Sequence, residues 1–448
     1  MSAGGQVWGS RFGFLMASVG FAVGLGNIWR FPYVTGENGG SAFVLVYLLC
    51  AFGIGVPILM AEIMLGRRGG LSPPSSILTW AVSNKRPRWW SYVGHLNLLT
   101  AFAILITYGV VAGWVLYYLW VAATGGFAQI DAAGSSAAFA ALLADVPTMT
   151  FWAFAAFFVA CAIVYAGVEK GIERAVTILM PMLFVLLLGL VAYNAFAGGL
   201  GTTLDYLFTP DFSKVTPAML LAAIGQAFFS IGVGMAGMMM YGAYLPRTVS
   251  IGHSAVVIVI ADTLVALLAG LVIFPMVFAN GLDPAGGAGL IFQTLPVAFA
   301  QMPGGGVVAV FFFLLLAVAA ITSVVGLSEP LVAWIMERFG YARHGAAMML
   351  VAAALACGLI SVLSYNHWSE VTLAGRTLNT WMDFIPNQVF LPLGGLFIAL
   401  FAGWFVSKEE NRAELGLGSD RSFTAWFNLL RFAVVPAVLL IFLSGVGE

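Results

Sequence analysis

Between Gly20 and Pro32, an apolar run long enough to cross a bilayer is interrupted by Gly20, Gly24 and Gly26 and carries Asn27 and Arg30 just before the proline. A membrane helix that breaks mid-span frees carbonyls and amides that hydrocarbon cannot satisfy. Such a break persists only where protein, water, ions or a polar ligand supply the partners. The chemistry on offer is binding near the membrane midplane: a half-helix starting near Leu25 presents free N–H groups and a positive dipole end, suited to a carboxylate. A second interruption, Ser230-Ile231-Gly232-Val233-Gly234-Met235-Ala236-Gly237, lies in another long apolar run, and Asp262 stands inside a third. An acid within a span is costly and by default functional. Structural readings stay open beside these: glycines that let helices pack closely, and a carboxylate paired only with backbone or Ser/Thr neighbours.

The elements that must position these residues are membrane spans. The chain has 448 residues, 61% hydrophobic and 8% charged, too poor in charge for a soluble domain of this size. A net charge of −1 argues against nucleic acid as a partner. Apolar runs lie roughly at 11–37, 41–66, 88–122, 150–167, 175–197, 216–245, 253–280, 304–336, 345–364, 384–406 and 422–444, here spans 1 to 11. Each reaches about the 20 residues a crossing needs. Basic residues including Arg67, Arg68, Lys85, Arg86, Lys170, Arg174, Arg247, Arg338, Arg343 and Lys408 share one side, while the other side's loops hold only Lys214 and Arg376, with Arg30 in the outer half of span 1. The positive-inside rule puts the N-terminus in the cytoplasm and the C-terminus outside. The N-terminal lead lacks the basic start and cleavage site of a signal peptide, so span 1 is expected to be retained. Cys50, Cys161 and Cys357 have no disulfide or metal-ligand spacing and read as buried thiols. The acidic, small-residue loop 123–148 suits an external face. The segment 281–303, broken by Gly281, Pro284, Gly286, Gly287, Gly289, Pro296 and Pro303, predicts a hairpin or short helices over the external mouth.

Spans 1 and 6 are five apart, so each opens a five-helix half. Two glycine-interrupted helices at corresponding places point to an inverted-repeat transporter with its site between the halves. Gly24-Leu25-Gly26-Asn27-Ile28-Trp29-Arg30-Phe31-Pro32, followed by Glu37-Asn38-Gly39-Gly40, resembles the first-helix signature of the neurotransmitter:sodium symporters, in their bacterial amino-acid branch, of which the leucine transporter is the structural type. The likeness runs from Trp8 to about span 10 and takes in Gly55-Val56-Pro57 with Glu62, Lys170-Gly171-Ile172-Glu173-Arg174, Gly225-Gln226-Ala227-Phe228-Phe229-Ser230 and Thr294-Leu295-Pro296.

The resemblance implies an all-α polytopic membrane protein with a LeuT-type five-plus-five inverted repeat and broken helices 1 and 6. It makes 1–448 a single transporter domain, with about 11–197 as the first repeat, about 216–406 as the second and about 422–444 as a peripheral eleventh helix. It implies two sodium sites: the first from Ala22 (carbonyl), Asn27, Ser230 and Asp262, the second from the carbonyls of Gly20, Val23 and Ala319 with the hydroxyls of Thr322 and Ser323. All are hard oxygen donors, right for sodium. For Thr322 and Ser323 read alone, back-bonding to a carbonyl one turn earlier is the open alternative. The substrate carboxylate would meet the amides at Leu25 and Gly26 and the Tyr108 hydroxyl, and the carbonyls around Phe229 and Ser230 would accept from the ammonium. Ala22, Ile104, Phe229, Gly232, Gly234, Met235, Ser323 and Leu327 complete the wall. The family's monoamine carriers place an aspartate where this chain has Gly24, so the substrate here should bring its own carboxylate. The uncharged wall fits a neutral, hydrophobic amino acid. The glycines and methionine at 232–235 imply room for larger, aromatic side chains, although Phe21 makes that wall bulkier. Asp262 supplies the negative charge that chloride-dependent members recruit as an anion, so chloride is not expected.

Arg30 and Asp383 are expected to pair, directly or through water, above the site, with Phe229 as the lid of an external gate. On the cytoplasmic side the family commonly has an arginine just before Trp8. Gly4 and Gly5 occupy that region, and Glu337 is the candidate acid of the latch. Glu62 is expected to accept amides from the unwound part of span 1. His95, His253, His344 and His367 are scattered, with no catalytic constellation and no sign of an enzyme. The reading is a sodium-coupled symporter importing neutral, hydrophobic to aromatic L-amino acids across the bacterial inner membrane by alternating access. The alternatives are a membrane sensor that binds without transport, and a proton-coupled carrier, which would need a basic group that spans 5 and 8 do not offer. The sequence does not give the oligomeric state.

Overall fold

A computed structural model describes residues 6–197, 200–279, 281 and 289–447. Among them nine helices are long and apolar enough to cross a membrane: Ser41–Gly69, Arg88–Ala123, Val146–Tyr165, Val168–Ala197, Ile251–Ala279, Gly305–Phe339, Arg343–Ser364, Leu378–Phe405 and Asp420–Val446. These are spans 2 to 5 and 7 to 11. Span 1 is a bent pair, Arg11–Ala22 and Gly26–Glu37, turning by 49° at the break. Span 6 is also two pieces, Pro217–Ser230 and Gly237–Ala243, each too short to cross alone.

Local chemistry sets the helix starts. Ser10, Asp145 and Thr216 accept from the amides of Gly13, Thr148 and Met219 at 2.9, 3.1 and 3.1 Å, ahead of spans 1, 4 and 6. Pro147 and Pro217 fall in the first turn, where the missing N–H costs nothing. The break in span 6 has a backbone cause. Gly232 and Gly234 adopt φ of +72° and +81°, and Ala236 follows at +62°. Three left-handed residues in five cannot continue a right-handed helix.

Span 8 is the most buried crossing and packs against spans 1, 3, 4, 5 and 9. Span 2 meets the second half of span 6 backbone to backbone: a Cβ on Gly66 would collide with the Met239 carbonyl, and one on Gly242 would lie 2.5 Å from that of Ile63. Lipid offers no hydrophobic drive between helices, so such close approach supplies the packing energy.

Over the mouth of the bundle lies the helix Leu290–Gln301, as the glycines and prolines of 281–303 lead one to expect. Tyr118 and Ser135 donate to the carbonyls of Phe292 and Gln293 at 2.9 and 2.7 Å, and Trp29 stacks edge-on against Phe292. Pro284, Gly286 and Gly287 lie outside the described residues. Several elements are additions to the sequence reading: short helices Pro73–Ser83, Leu200–Phe208 and Lys408–Leu415 between spans, a helix Ala132–Ala144, N-capped by Asp131, inside the loop 123–148, and a hairpin pairing Thr372–Leu373 with Arg376–Thr377 through Ala374 and Gly375, both at positive φ. The three cysteines are free and half-buried, where buried thiols are expected; Cys50 and Cys161 pack against the core with part of their surface left open.

Candidate functional site

The two breaks meet at the centre of the bundle. Asn27, Ser230 and Asp262 come from spans 1, 6 and 7, and all are buried. Asn27 Nδ2 donates to Ser230 Oγ at 2.9 Å, to Asp262 Oδ1 at 2.7 Å and to the Asp262 carbonyl at 3.1 Å; Ser230 Oγ donates to Asp262 Oδ2 at 2.7 Å. Tyr47 O–H reaches the same Oδ2 at 3.5 Å. Asp262 is therefore paired with side chains from two broken spans, not with local backbone alone. Its carboxylate and the surrounding amide and hydroxyl oxygens form a hard donor set that fits sodium.

The break in span 1 frees the carbonyls expected of a second ion site. A continuous helix would bond Gly24 N–H to the Gly20 carbonyl and Asn27 N–H to that of Val23. Instead Gly24 N–H goes to Asn27 Oδ1 at 3.1 Å and Asn27 N–H to the Gly24 carbonyl at 3.2 Å. Gly20 and Val23 are left without their helical donors. Thr322 faces Gly20: a Cβ on that glycine would lie 3.3 Å from Thr322 Cβ. The Thr322 hydroxyl back-bonds to the carbonyls of Val318 and Ala319 at 3.0 and 3.1 Å. That leaves its oxygen lone pairs to accept.

Between the two clusters lies a cavity lined by Phe21, Ala22, Gly24, Gly26, Ile104, Tyr108, Phe229, Ser230, Gly232, Met235, Ser323 and Leu327. Among the described residues no charged side chain lines it. A Cβ on Gly24 would sit 2.6 Å from both Ser323 Oγ and Tyr108 Oη, so that position is filled by its neighbours' hydroxyls. Tyr108 Oη accepts from Leu25 N–H at 2.9 Å, which keeps its own hydrogen for an acceptor in the cavity. Phe21 sets its ring where Gly232, Gly237 and Gly326 have no side chains, so glycine grooves absorb its bulk.

Several expectations are corrected. Leu25 and Gly234 are not on the cavity wall: the Leu25 amide is taken by Tyr108, and Gly234 turns toward span 10, where a Cβ would lie 2.8 Å from the Leu391 carbonyl. Glu62 accepts from Gly234 N–H at 3.3 Å and so supports the unwound part of span 6, not of span 1. Arg30 and Asp383 make no direct ion pair, which leaves the water-mediated form of the expected gate. The Arg30 guanidinium lies over the Phe229 ring, 4.4 Å from its centre, while exposed Asp383 accepts from Asn387 Nδ2 at 2.8 Å. Gly4 and Gly5 lie outside the described residues, and Glu337 accepts from the Ser72 amide and the Ser75 hydroxyl.

A network at the N-terminal end of span 1 joins residues to which the sequence reading gave no place in a site. Trp8 donates through Nε1 to the Tyr241 carbonyl at 3.0 Å and through its amide to that of Tyr244 at 3.3 Å. Tyr244 O–H donates to Glu329 Oε1 at 2.6 Å, and Arg343 pairs with both carboxylate oxygens while its Nε reaches the Val164 carbonyl at 2.7 Å. Glu329, an acid inside span 8, gives the same signal as Asp262. Gln226 is another: its Nε2 holds the Gly26 carbonyl at 3.0 Å, tying the two breaks together. Removing one partner of a buried ion pair costs about 3–5 kcal/mol, since the other charge stays buried. Arg343→Met is accordingly expected to lower the unfolding temperature in detergent markedly, and adding Glu329→Gln to recover most of the loss. Equal loss in the single and double variants would refute the pairing.

Two helices broken at mid-membrane around a cluster of hard oxygen donors define a secondary transporter. The chain belongs to the sodium:neurotransmitter symporter family, whose model matches residues 5–131 and 138–446. It is 37% identical over 445 residues to the uncharacterized sodium-dependent transporter YhdH of Bacillus subtilis (98% of this chain, 97% of that protein) and 32% identical over 451 residues to an uncharacterized sodium-dependent transporter of Haemophilus influenzae (98% of each). Among solved structures it is similar to MhsT in complex with L-phenylalanine, with 42% identity and a TM-score of 0.90 over 98% of this chain and 99% of that one. The fold is thus the LeuT fold with spans 1 and 6 broken, and the protein is a sodium-dependent transporter, not an enzyme.

Proposed function

We propose that this transporter imports neutral, hydrophobic to aromatic L-amino acids together with sodium, without need of chloride. The observation that carries the reading is a cavity free of charged side chains set against the Asn27–Ser230–Asp262 cluster. Such a wall accepts an apolar side chain, while the Tyr108 hydroxyl and the Gly26 amide are left for a carboxylate. The similar MhsT, solved in complex with L-phenylalanine, supports the aromatic end of the range. Sodium at Ala22, Asn27, Ser230 and Asp262 would touch that carboxylate, and sodium at Gly20, Val23, Ala319, Thr322 and Ser323 would hold span 1 to span 8. The repeats 11–197 and 216–406 would rock about this centre, with 422–444 at the periphery. The basic loops support an orientation with the N-terminus inside and the C-terminus outside the bacterial inner membrane.

Proteoliposomes loaded with sodium-free buffer and offered all twenty amino acids outside with sodium are expected to accumulate a few apolar or aromatic ones. Replacing sodium by potassium should abolish uptake, and replacing chloride by gluconate should leave it unchanged. Sodium-dependent binding without accumulation would instead mark a sensor, and no binding at all would exclude an amino-acid substrate.

A further inference from the structure

Beneath the cavity, on span 3, Asn97 is wholly buried, and neither its Nδ2 nor its Oδ1 has a hydrogen-bond partner among the described residues. A primary amide in that condition forfeits its hydration with nothing in return. It lies seven residues before Ile104, about 10 Å down the helix at 1.5 Å per residue. Its immediate neighbours are Gly394 of span 10 and the Gly234 carbonyl. A Cβ on Gly394 would collide with Asn97 Oδ1 and would stand 3.2 Å from the Gly234 oxygen, so both oxygens lie around one point. Turning the amide end over end would present Nδ2 to that carbonyl; the two ends of an Asn side chain differ only in this choice of partner.

The Gly234 peptide is thus flanked on each side. Its N–H goes to Glu62 of span 2, its α-carbon rests against Leu391 and Gly395 of span 10, and its carbonyl oxygen shares with Asn97 Oδ1 the space beside Gly394. The next residue, Met235, lines the cavity. Whatever holds the Gly234 peptide back against spans 3 and 10 therefore sets how far Met235 reaches into the substrate space. We propose that Asn97 is that residue: a specificity-determining positioning residue whose Nδ2 donates to the Gly234 carbonyl, holding the unwound segment of span 6 away from the cavity so that large side chains fit. Gly394 belongs to the same device, because only glycine there leaves room for the amide. The inference rests on the proposal that the cavity takes amino acids.

The test is sodium-dependent binding of a ladder of amino acids, alanine, valine, leucine, phenylalanine and tryptophan, to the purified full chain and to Asn97→Leu, which keeps the volume and removes the hydrogen bonds. With the anchor gone, Met235 moves inward, and affinity for phenylalanine and tryptophan is expected to fall about tenfold relative to alanine and valine, the scale of one good buried hydrogen bond. The sodium concentration for half-saturation should stay within about twofold. Gly394→Ala, which forces the amide out of place from the other side, should shift the ladder the same way and serves if Asn97→Leu does not fold. A uniform change across the ladder, or none, in whichever variant folds would overturn the proposal. Failure of the unaltered protein to bind any of the five would instead remove the functional reading on which it rests.

Discussion

Sodium-dependent amino-acid binding is expected to disappear when Asn27 becomes leucine, with expression and membrane insertion intact. Asn27 is the hub of the site. Its Oδ1 accepts from Gly24 N–H, fixing the break that frees the Gly20 and Val23 carbonyls, and its Nδ2 ties Ser230 to Asp262. Leucine keeps the size and removes all of these bonds at once. The Asp262 carboxylate then loses one of its two shortest partners, and the first ion site loses a ligand. Hydrogen bonds to a charged group are worth about 1.5–3 kcal/mol each, so a loss of about 100-fold or more in affinity is expected, at 1.4 kcal/mol per factor of ten. Scintillation-proximity binding of a radiolabelled substrate across a sodium titration measures it. An unchanged sodium dependence would remove Asn27 from the ion site. Asn27→Ser, which keeps an oxygen, should retain part of the affinity and separates loss of a ligand from loss of the fold.

Much of this arrangement is written in residue types. Glycine interruptions in two apolar runs five spans apart are visible without coordinates, because a helix broken in hydrocarbon must be compensated. Asp262 is visible for the same reason, an acid where charge is expensive. The span limits follow from apolar length and mostly fall close to the helices, although spans 5 and 10 begin earlier, at Val168 and Leu378, than their apolar runs at 175 and 384. What the sequence did not give up are partners across the bundle. Glu62 is an acid at the right depth, but nothing in its neighbours says that it serves Gly234 and not span 1; that depends on which break faces span 2. Arg30 has an aromatic face beside it as well as a carboxylate within reach of a bridging water, and the sequence does not tell that its guanidinium lies over Phe229. Gly234 was taken for cavity wall because it lies between two residues that are, yet at φ +81° the chain turns it toward span 10. The helix Ala132–Ala144 was missed although Asp131 stands three residues before Gly134, the spacing of a side-chain cap, because an alanine-rich loop carries no apolar periodicity to set it apart.

The charge on Asp262 leads to the second large effect. A carboxylate adjoining a sodium site neutralises the ion without any help from solution. At an effective dielectric constant of about 20, a unit charge some 4 Å away contributes about 4 kcal/mol. Asp262→Asn keeps the shape and an oxygen ligand but removes that charge. Ser230 Oγ and Tyr47 O–H, which now point at Oδ2, would face a neutral oxygen instead. Those two donors and the new amide N–H are what a halide accepts from. In sodium gluconate, Asp262→Asn is therefore expected to bind substrate about 100-fold more weakly than the unaltered protein, or about 2.7 kcal/mol. In sodium chloride much of the loss should return. The unaltered protein should give the same affinity in both salts, because its own carboxylate occupies the place an anion would take. Two results count against this account. Chloride dependence of the unaltered protein would mean that Asp262 does not supply the balancing charge. Full affinity of Asp262→Asn in gluconate would mean that the charge is not needed at all, and that the hydrogen bonds joining spans 1, 6 and 7 are the whole contribution of this residue.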